Sequence, residues 1–199
     1  MSRLLHWHKY ESLKVQAADL VEDFALEYPV DPMLLASNLG LNIHTLPPGS
    51  SLSGATCLDI EALTIATSTH GGMRFDVFLD PLSVAARQRF SLMHEISHVW
   101  LGHLDSEVPS DREQWEGEAN FLSQYILAPD ALVEAWVPDL MAEQIRQVFC
   151  VGWHTANLVR NRVIRSREVS PSLRDYDQRI AKVARRAPQS EFSVAGGVA

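Results

Sequence analysis

His94-Glu95-Ile96-Ser97-His98 has the form H-E-x-x-H. On a helix, residues four apart lie one turn apart on the same face. His94 and His98 can therefore aim two imidazoles at one point beside the helix, which is what a tetrahedral zinc ion needs from its first two ligands. Glu95 sits about 100° round the helix from His94, placed to lean over the metal without binding it and to take a proton from a water held there. Phe90, Leu92, Met93, Ile96, Val99, Trp100 and Leu101 surround the motif, so the helix is apolar nearly all round and should be buried. Two histidines and a glutamate in a buried helix need partners, because unpaired buried polar groups are costly. A metal would supply them; two surface histidines on an ordinary amphipathic helix is the plainer reading.

A zinc site needs a third protein ligand. The pattern H-E-x-x-H-x-x-G-x-x-H would take it from the same run, but Gly102 and His103 each miss the required place by one residue. His103, about 140° off the face of His98, reads as a helix-end residue. The other source is an acid on a second helix. Ser110-Asp111-Arg112-Glu113 has the form of a capping box and predicts a helix start. On that helix Trp115, Glu118, Ala119, Leu122, Tyr125 and Ile126 share the apolar, inward face, while Glu116 lies nearly opposite and Glu113, Asn120 and Ser123 take the polar side. Glu118 is therefore the expected third ligand, the alternative being an acid paired with an arginine at a helix-helix contact.

Three runs carry a resemblance. Arg87-Gln88-Arg89-Phe90-Ser91-Leu92-Met93-His94-Glu95-Ile96-Ser97-His98 is followed by Glu116-Gly117-Glu118-Ala119-Asn120-Phe121 and then by Ile126-Leu127-Ala128-Pro129. In this order and spacing they resemble the ImmA/IrrE family of zinc metallopeptidases, with Ala128 departing from the Met common before the Pro. The resemblance covers about residues 15–165. It implies zinc ligands at His94, His98 and Glu118, with Glu95 as general base, and an enzyme that cuts a helix-turn-helix repressor to release phage, mobile-element or stress genes. Manganese would be a substitute for zinc. An oxyanion or substrate contact is not fixed by the motifs; Tyr125 and His103 are the candidates.

The elements that must position these residues follow from periodicity and turn signals. Residues 11–28 read as an amphipathic helix with Leu13, Leu20, Val21, Phe24 and Tyr28 inward. Asp31 caps a second helix with Pro32 at its first position, and Gly40 stops it. Leu41–Leu46, Gly54–Leu58, Leu63–Thr67 and Met73–Leu79 are strand candidates, with His70-Gly71-Gly72 as the turn between the last two. Met73–Leu79 is expected nearest the site, because the chain turns at Asp80-Pro81 straight into the metal helix, from about Ser83 to His103. The fold class expected is α+β; taken with the resemblance, it implies a zincin-like peptidase domain at 11–135 with a small, mostly antiparallel sheet packed on the H-E-x-x-H helix. A helical C-terminal segment at 136–186 and a disordered tail at 187–199 follow. An edge strand of such a sheet could hold a substrate in extended form.

The helical segment supplies a competing function. Met141, Ile145, Val148 and Phe149, then Cys150-Val151-Gly152, then a helix with Asn157, Arg160, Asn161 and Arg162 resembles a helix-turn-helix. The plainer reading is that these helices complete the peptidase core. Charge leaves the question open. Residues 1–150 hold 8 Lys and Arg against 21 Asp and Glu, a balance of −13; residues 151–199 hold 9 against 4, or +5, making the −8 of the whole chain. A DNA-binding regulator, or a toxin–antitoxin partner, with a vestigial metal site is the alternative, and its DNA contact would be weak and confined to the basic segment. The 46% hydrophobic content suffices for a packed core. Cys57 and Cys150 are too far apart in sequence for a C-x-x-C metal site. Residues 1–14 lack a signal-peptide core and no stretch approaches 18 apolar residues, so a cytoplasmic protein without membrane contact is expected.

Overall fold

Met93 and Ile96 are fully buried and Leu92 nearly so, and around them the H-E-x-x-H run folds as one continuous helix. The computed structural model describes residues 7–46, 62–104, 112–169 and 174–186. In chain order its elements are α1 (Trp7–Asp23), β1 (Glu27–Tyr28), α2 (Pro32–Asn38), β2 (Asn42–Thr45), β3 (Ala62–Thr69), β4 (Gly72–Leu79) and α3 (Ala85–Trp100). They continue with α4 (Arg112–Leu127), α5 (Asp130–Trp136), α6 (Ala142–Phe149), α7 (Trp153–Val169), α8 (Asp175–Val183) and β5 (Arg185–Arg186). This is a mixed α+β architecture. The expected strand Gly54–Leu58, the capping residues Ser110 and Asp111 and the tail 187–199 lie outside the described residues.

The first helix is shorter at its end than periodicity suggested. Ala25 takes the left-handed conformation, φ 45°. Its N–H reaches Glu22 O at 3.3 Å and that of Leu26 reaches Val21 O at 3.2 Å, which is the Schellman closure of a helix. Tyr28 therefore belongs to β1, not to the helix, although its side chain is still fully buried. The next start follows its sequence signal. Asp31 Oδ1 accepts from Met33 N at 2.9 Å, with Pro32 behind it, and Gly40 at φ 74° follows the helix.

Strand β4 is the middle of a three-stranded sheet of order β2-β4-β3. It pairs antiparallel with β3 through a hairpin and parallel with β2, so the longer pairing is antiparallel and the shorter is not. Among the described residues β3 is an edge strand. A short parallel pairing joins β1 to β5. The sheet lies against α3, with Val77 in the core.

Helices α3 and α4 meet through small residues. Ser97 Oγ and Ser123 Oγ are 3.0 Å apart, both fully buried, and each also donates back along its own helix. That close approach carries the acids of α4 to the histidines of α3. Arg89, from the front of α3, donates to Val30 O and to Cys150 O, tying the helix to both flanking segments.

The buried cluster crosses residues 135 and 136 without a break. Ile145 and Phe149 of α6, Val159 and Val163 of α7 and Ile180 of α8 share it with Leu20 of α1 and Ile96 of α3. The last helix, α8, carries Asp175 and Asp177 beside its basic residues, and its Arg179 is held by Asp19 and Glu22 of α1. Among the described residues no helix is long and apolar enough to cross a membrane.

Candidate metal centre

One turn of α3 separates His94 from His98, and their Nε2 atoms lie 3.0 Å apart. Glu116 Oε2, from α4, is 3.2 Å from His94 Nε2 and 3.8 Å from His98 Nε2. Among the described residues these three form the one cluster of His, Cys, Asp and Glu with metal-ligand spacing. Ligands about 2.0–2.1 Å from a tetrahedral zinc stand about 3.3 Å from one another. The three observed separations bracket that edge, so the residues present fit a divalent ion at their centre. The two imidazoles beside it, His94 first and then His98, hold the Glu116 carboxyl well below the usual carboxylate range, against a smaller opposing effect of burial. It is an anion wherever the histidines are neutral.

Glu118, the expected third ligand, lies elsewhere. It is 3% exposed, its Oε2 is 3.3 Å from His103 Nε2 and 3.0 Å from Lys9 Nζ, and its Oε1 accepts from Gln114 Nε2 at 2.6 Å. Its place on the apolar face takes it behind the histidines, whereas Glu116, on the polar side and half exposed, reaches the front. The sequence signal for Glu116 is that polarity: a metal that must admit water and substrate sits at a wet edge, not at the driest face of a helix.

His103 stands behind His98 rather than over the site. Gly102 takes φ 70°, and the His103 N–H bonds back to His98 O at 3.0 Å, a Schellman turn that only a residue tolerant of the left-handed region makes without strain. The turn brings His103 Nδ1 to 3.0 Å from His98 Nδ1 and stacks its ring on Trp115. Burial, then the neighbouring His98, lowers the pKa of His103. It is not placed as an oxyanion donor.

Tyr125 is not placed as one either. It is fully buried, and its hydroxyl donates to Asp177 Oδ1 of α8 at 2.7 Å. Burial raises the pKa of both groups. Lys14, Asp130 and Arg162 complete the surroundings, with Lys14 3.2 Å and Arg162 2.6 Å from Asp130. This network joins α1, α4, α5, α7 and α8. Tyr125→Phe is expected to lower stability by about 1–3 kcal/mol, the range for leaving a buried acceptor unsatisfied, with metal binding unchanged. Denaturant unfolding and metal titration check this; lost cleavage at unchanged stability would return Tyr125 to the chemistry.

Glu95 is half-buried and bound by a residue that sequence reasoning missed. Thr64 Oγ1, on β3, donates to Glu95 Oε2 at 2.6 Å. The strand nearest the catalytic candidate is thus β3, an edge strand among the described residues, not Met73–Leu79, whose second half, Asp76–Leu79, lies between β2 and β3. No local signal marks Thr64, because its partner is far away in sequence.

The helix-turn-helix expectation meets a mixed result in geometry. Helices α6 and α7 do pack across a left-handed Cys150, φ 52°. Arg162, however, is turned inward onto Asp130 and Ala128 O, and Arg160 Nε bonds Leu140 O.

Comparison with known proteins points the same way as the cluster. The model of a peptidase family, M78, described as the IrrE N-terminal-like domain, matches residues 36–153, a span that contains α3, α4 and every residue of the cluster. No curated protein matches the chain.

Proposed function

The chain belongs to the M78 peptidase family, the IrrE N-terminal-like domain, and from that premise we propose that it is a zinc-dependent, site-specific endopeptidase of zincin-like construction. The observation that carries the reading is the convergence of His94 Nε2, His98 Nε2 and Glu116 Oε2 beside a glutamate, Glu95, that stands outside the set. A purely structural metal site has no use for that fourth residue.

When bound, the ion would acidify a water to a pKa of about 7 and polarise the scissile carbonyl. His94, His98 and Glu116 are the residues that would hold it. Glu95 accepts the proton of the attacking water and returns it to the leaving amide nitrogen. Thr64 fixes one oxygen of Glu95, so the other is aimed and the carboxylate loses little freedom on reaction. Among the described residues no strand pairs with the outer edge of β3, which supports strand addition as the mode of substrate capture: a segment paired there would pass Glu95. Zinc is the ion of choice for two imidazoles and a carboxylate, and manganese tolerates the same donors.

Such a strand edge takes a few residues of extended chain, so the cut falls in a linker or locally unfolded segment rather than in a folded helix. A helix-turn-helix repressor, a class of protein with a basic DNA-binding surface, suits the acidic body of residues 1–150, which carry 21 Asp and Glu against 8 Lys and Arg, and charge of this kind steers encounter. Direct DNA binding by α6 and α7 has less to support it, since Arg162 is committed to Asp130. The test is incubation of the zinc- or manganese-loaded protein with helix-turn-helix repressors of the same organism, with fragments sized by mass spectrometry. One discrete, metal-dependent cut is expected. An intact repressor under every metal condition, together with direct DNA binding by this chain, would favour a regulator with a vestigial site.

A further inference from the structure

Behind the proposed ligands runs a buried chain of hydrogen bonds that the cleavage chemistry leaves without a role. His98 Nδ1 lies 3.0 Å from His103 Nδ1, and His103 Nε2 lies 3.3 Å from Glu118 Oε2. His98, His103 and Glu118 are 8%, 7% and 3% exposed, so solvent does not compete for these positions.

The donor and acceptor roles follow from Glu118. A carboxylate can only accept, so the proton between Glu118 and His103 sits on His103 Nε2. A neutral imidazole carries one proton, which leaves His103 Nδ1 bare. The bond between the two Nδ1 atoms then requires His98 to be the donor. His98 thus bears its proton on Nδ1 and presents a bare Nε2 to His94 and Glu116. Lys9 Nζ and Gln114 Nε2 are donors too, each bound to a Glu118 oxygen, so every partner of that side chain meets it as an acceptor. Trp115, parallel to the His103 ring within 6°, holds the plane of the relay. His94 has no counterpart: its Nδ1 is buried with no partner among the described residues.

We propose that Glu118 and His103 form a positioning relay that fixes His98 in the Nδ1–H tautomer and so keeps its Nε2 lone pair available to a divalent cation. Partners of this kind behind a metal-binding histidine set ring orientation and basicity, and their loss typically weakens metal binding 10–100-fold. Here the carboxylate acts at one remove, through a second imidazole. Both residues act through His98 and neither touches substrate. The proposal rests on the metal-site reading given above.

Glu118→Gln, made in a Lys9→Met background so that no cation holds the amide oxygen toward His103, tests it, because the amide has the same shape but can donate to His103 Nε2. That donation would move the His103 proton to Nδ1, turn His98 Nδ1 into an acceptor and place a proton on His98 Nε2. The tautomer of His98 is read by long-range nitrogen–proton NMR on the full chain stripped of metal, with its fold checked by circular dichroism. Zinc affinity is read by chelator competition. The relay predicts Nδ1–H in the wild type, Nε2–H in Glu118→Gln, and zinc affinity reduced about 10–100-fold but not abolished. An Nε2–H tautomer in the wild type overturns it, and needs no variant. So does an unchanged tautomer with unchanged affinity in Glu118→Gln. Complete loss of zinc in Glu118→Gln, with zinc retained in Glu116→Gln, would make Glu118 a ligand and overturn both relay and ligand set. Failure of the wild type to bind zinc would sink the peptidase reading alone, since the metal-free tautomers still decide the relay.

Discussion

Glu95→Gln is expected to retain zinc and to lower peptide-bond cleavage by about 10²–10⁴-fold, the usual contribution of a positioned general acid–base. The amide oxygen can still accept from Thr64, which bonds the native side chain at 2.6 Å, so the local fold has little reason to change. What the amide cannot do is take a proton from water at neutral pH. Zinc content and cleavage rate, measured on the same preparation, separate the possible roles. Wild-type cleavage would remove Glu95 from the mechanism. Loss of zinc along with activity would make it a ligand. The same change should leave substrate binding in place, so a catalytically silent complex is the species to look for.

The second large effect is expected at Glu116. Glu116→Ala removes the carboxylate that lies 3.2 Å from His94 Nε2 and 3.8 Å from His98 Nε2, and two imidazoles alone are a poor cage for zinc. Stoichiometric zinc should fall to an unmeasurable level after dialysis. Glu118→Ala should keep a weakened site, because that side chain supports His98 from behind. Elemental analysis of the two variants side by side distinguishes them. Zinc retained in Glu116→Ala and absent from Glu118→Ala would reverse the assignment. Glu116→Ala is expected to fold, since Glu116 is half exposed; circular dichroism checks the fold of Glu118→Ala, whose side chain is buried.

The difference between Glu116 and Glu118 marks where the sequence stops being legible. Spacing alone sufficed to put His94 and His98 on one face, because the information lies within a single helical turn. Choosing between two acids on α4 by apolar periodicity selects the drier one, and the drier one became the buried support for His103. Thr64 was invisible for a different reason: the distance from β3 to α3 is set by the sheet order, which no local pattern encodes. Long-range contacts also explain the C-terminal part. The helix-turn-helix outline of α6 and α7 is written in local periodicity, but the commitment of Arg162 to Asp130 and of Tyr125 to Asp177 depends on how α4, α5, α7 and α8 pack. At the end of α1 the left-handed residue is Ala25, not the Gly or Asn that usually announces such a turn, so the helix appeared to run on to Tyr28. The starts of α2 and the β3–β4 hairpin, by contrast, carried Asp-Pro and Gly-Gly signals and formed where these stand.

The most direct measurement of the central claim is a crystal structure of the zinc-loaded protein with anomalous diffraction collected on both sides of the zinc edge. The account predicts one peak within about 2.0–2.2 Å of His94 Nε2, His98 Nε2 and a Glu116 oxygen, with Glu95 outside the coordination sphere and Glu118 bound to His103. A peak coordinated by Glu118 in place of Glu116, or no peak at the two histidines in crystals grown with excess zinc, would contradict it.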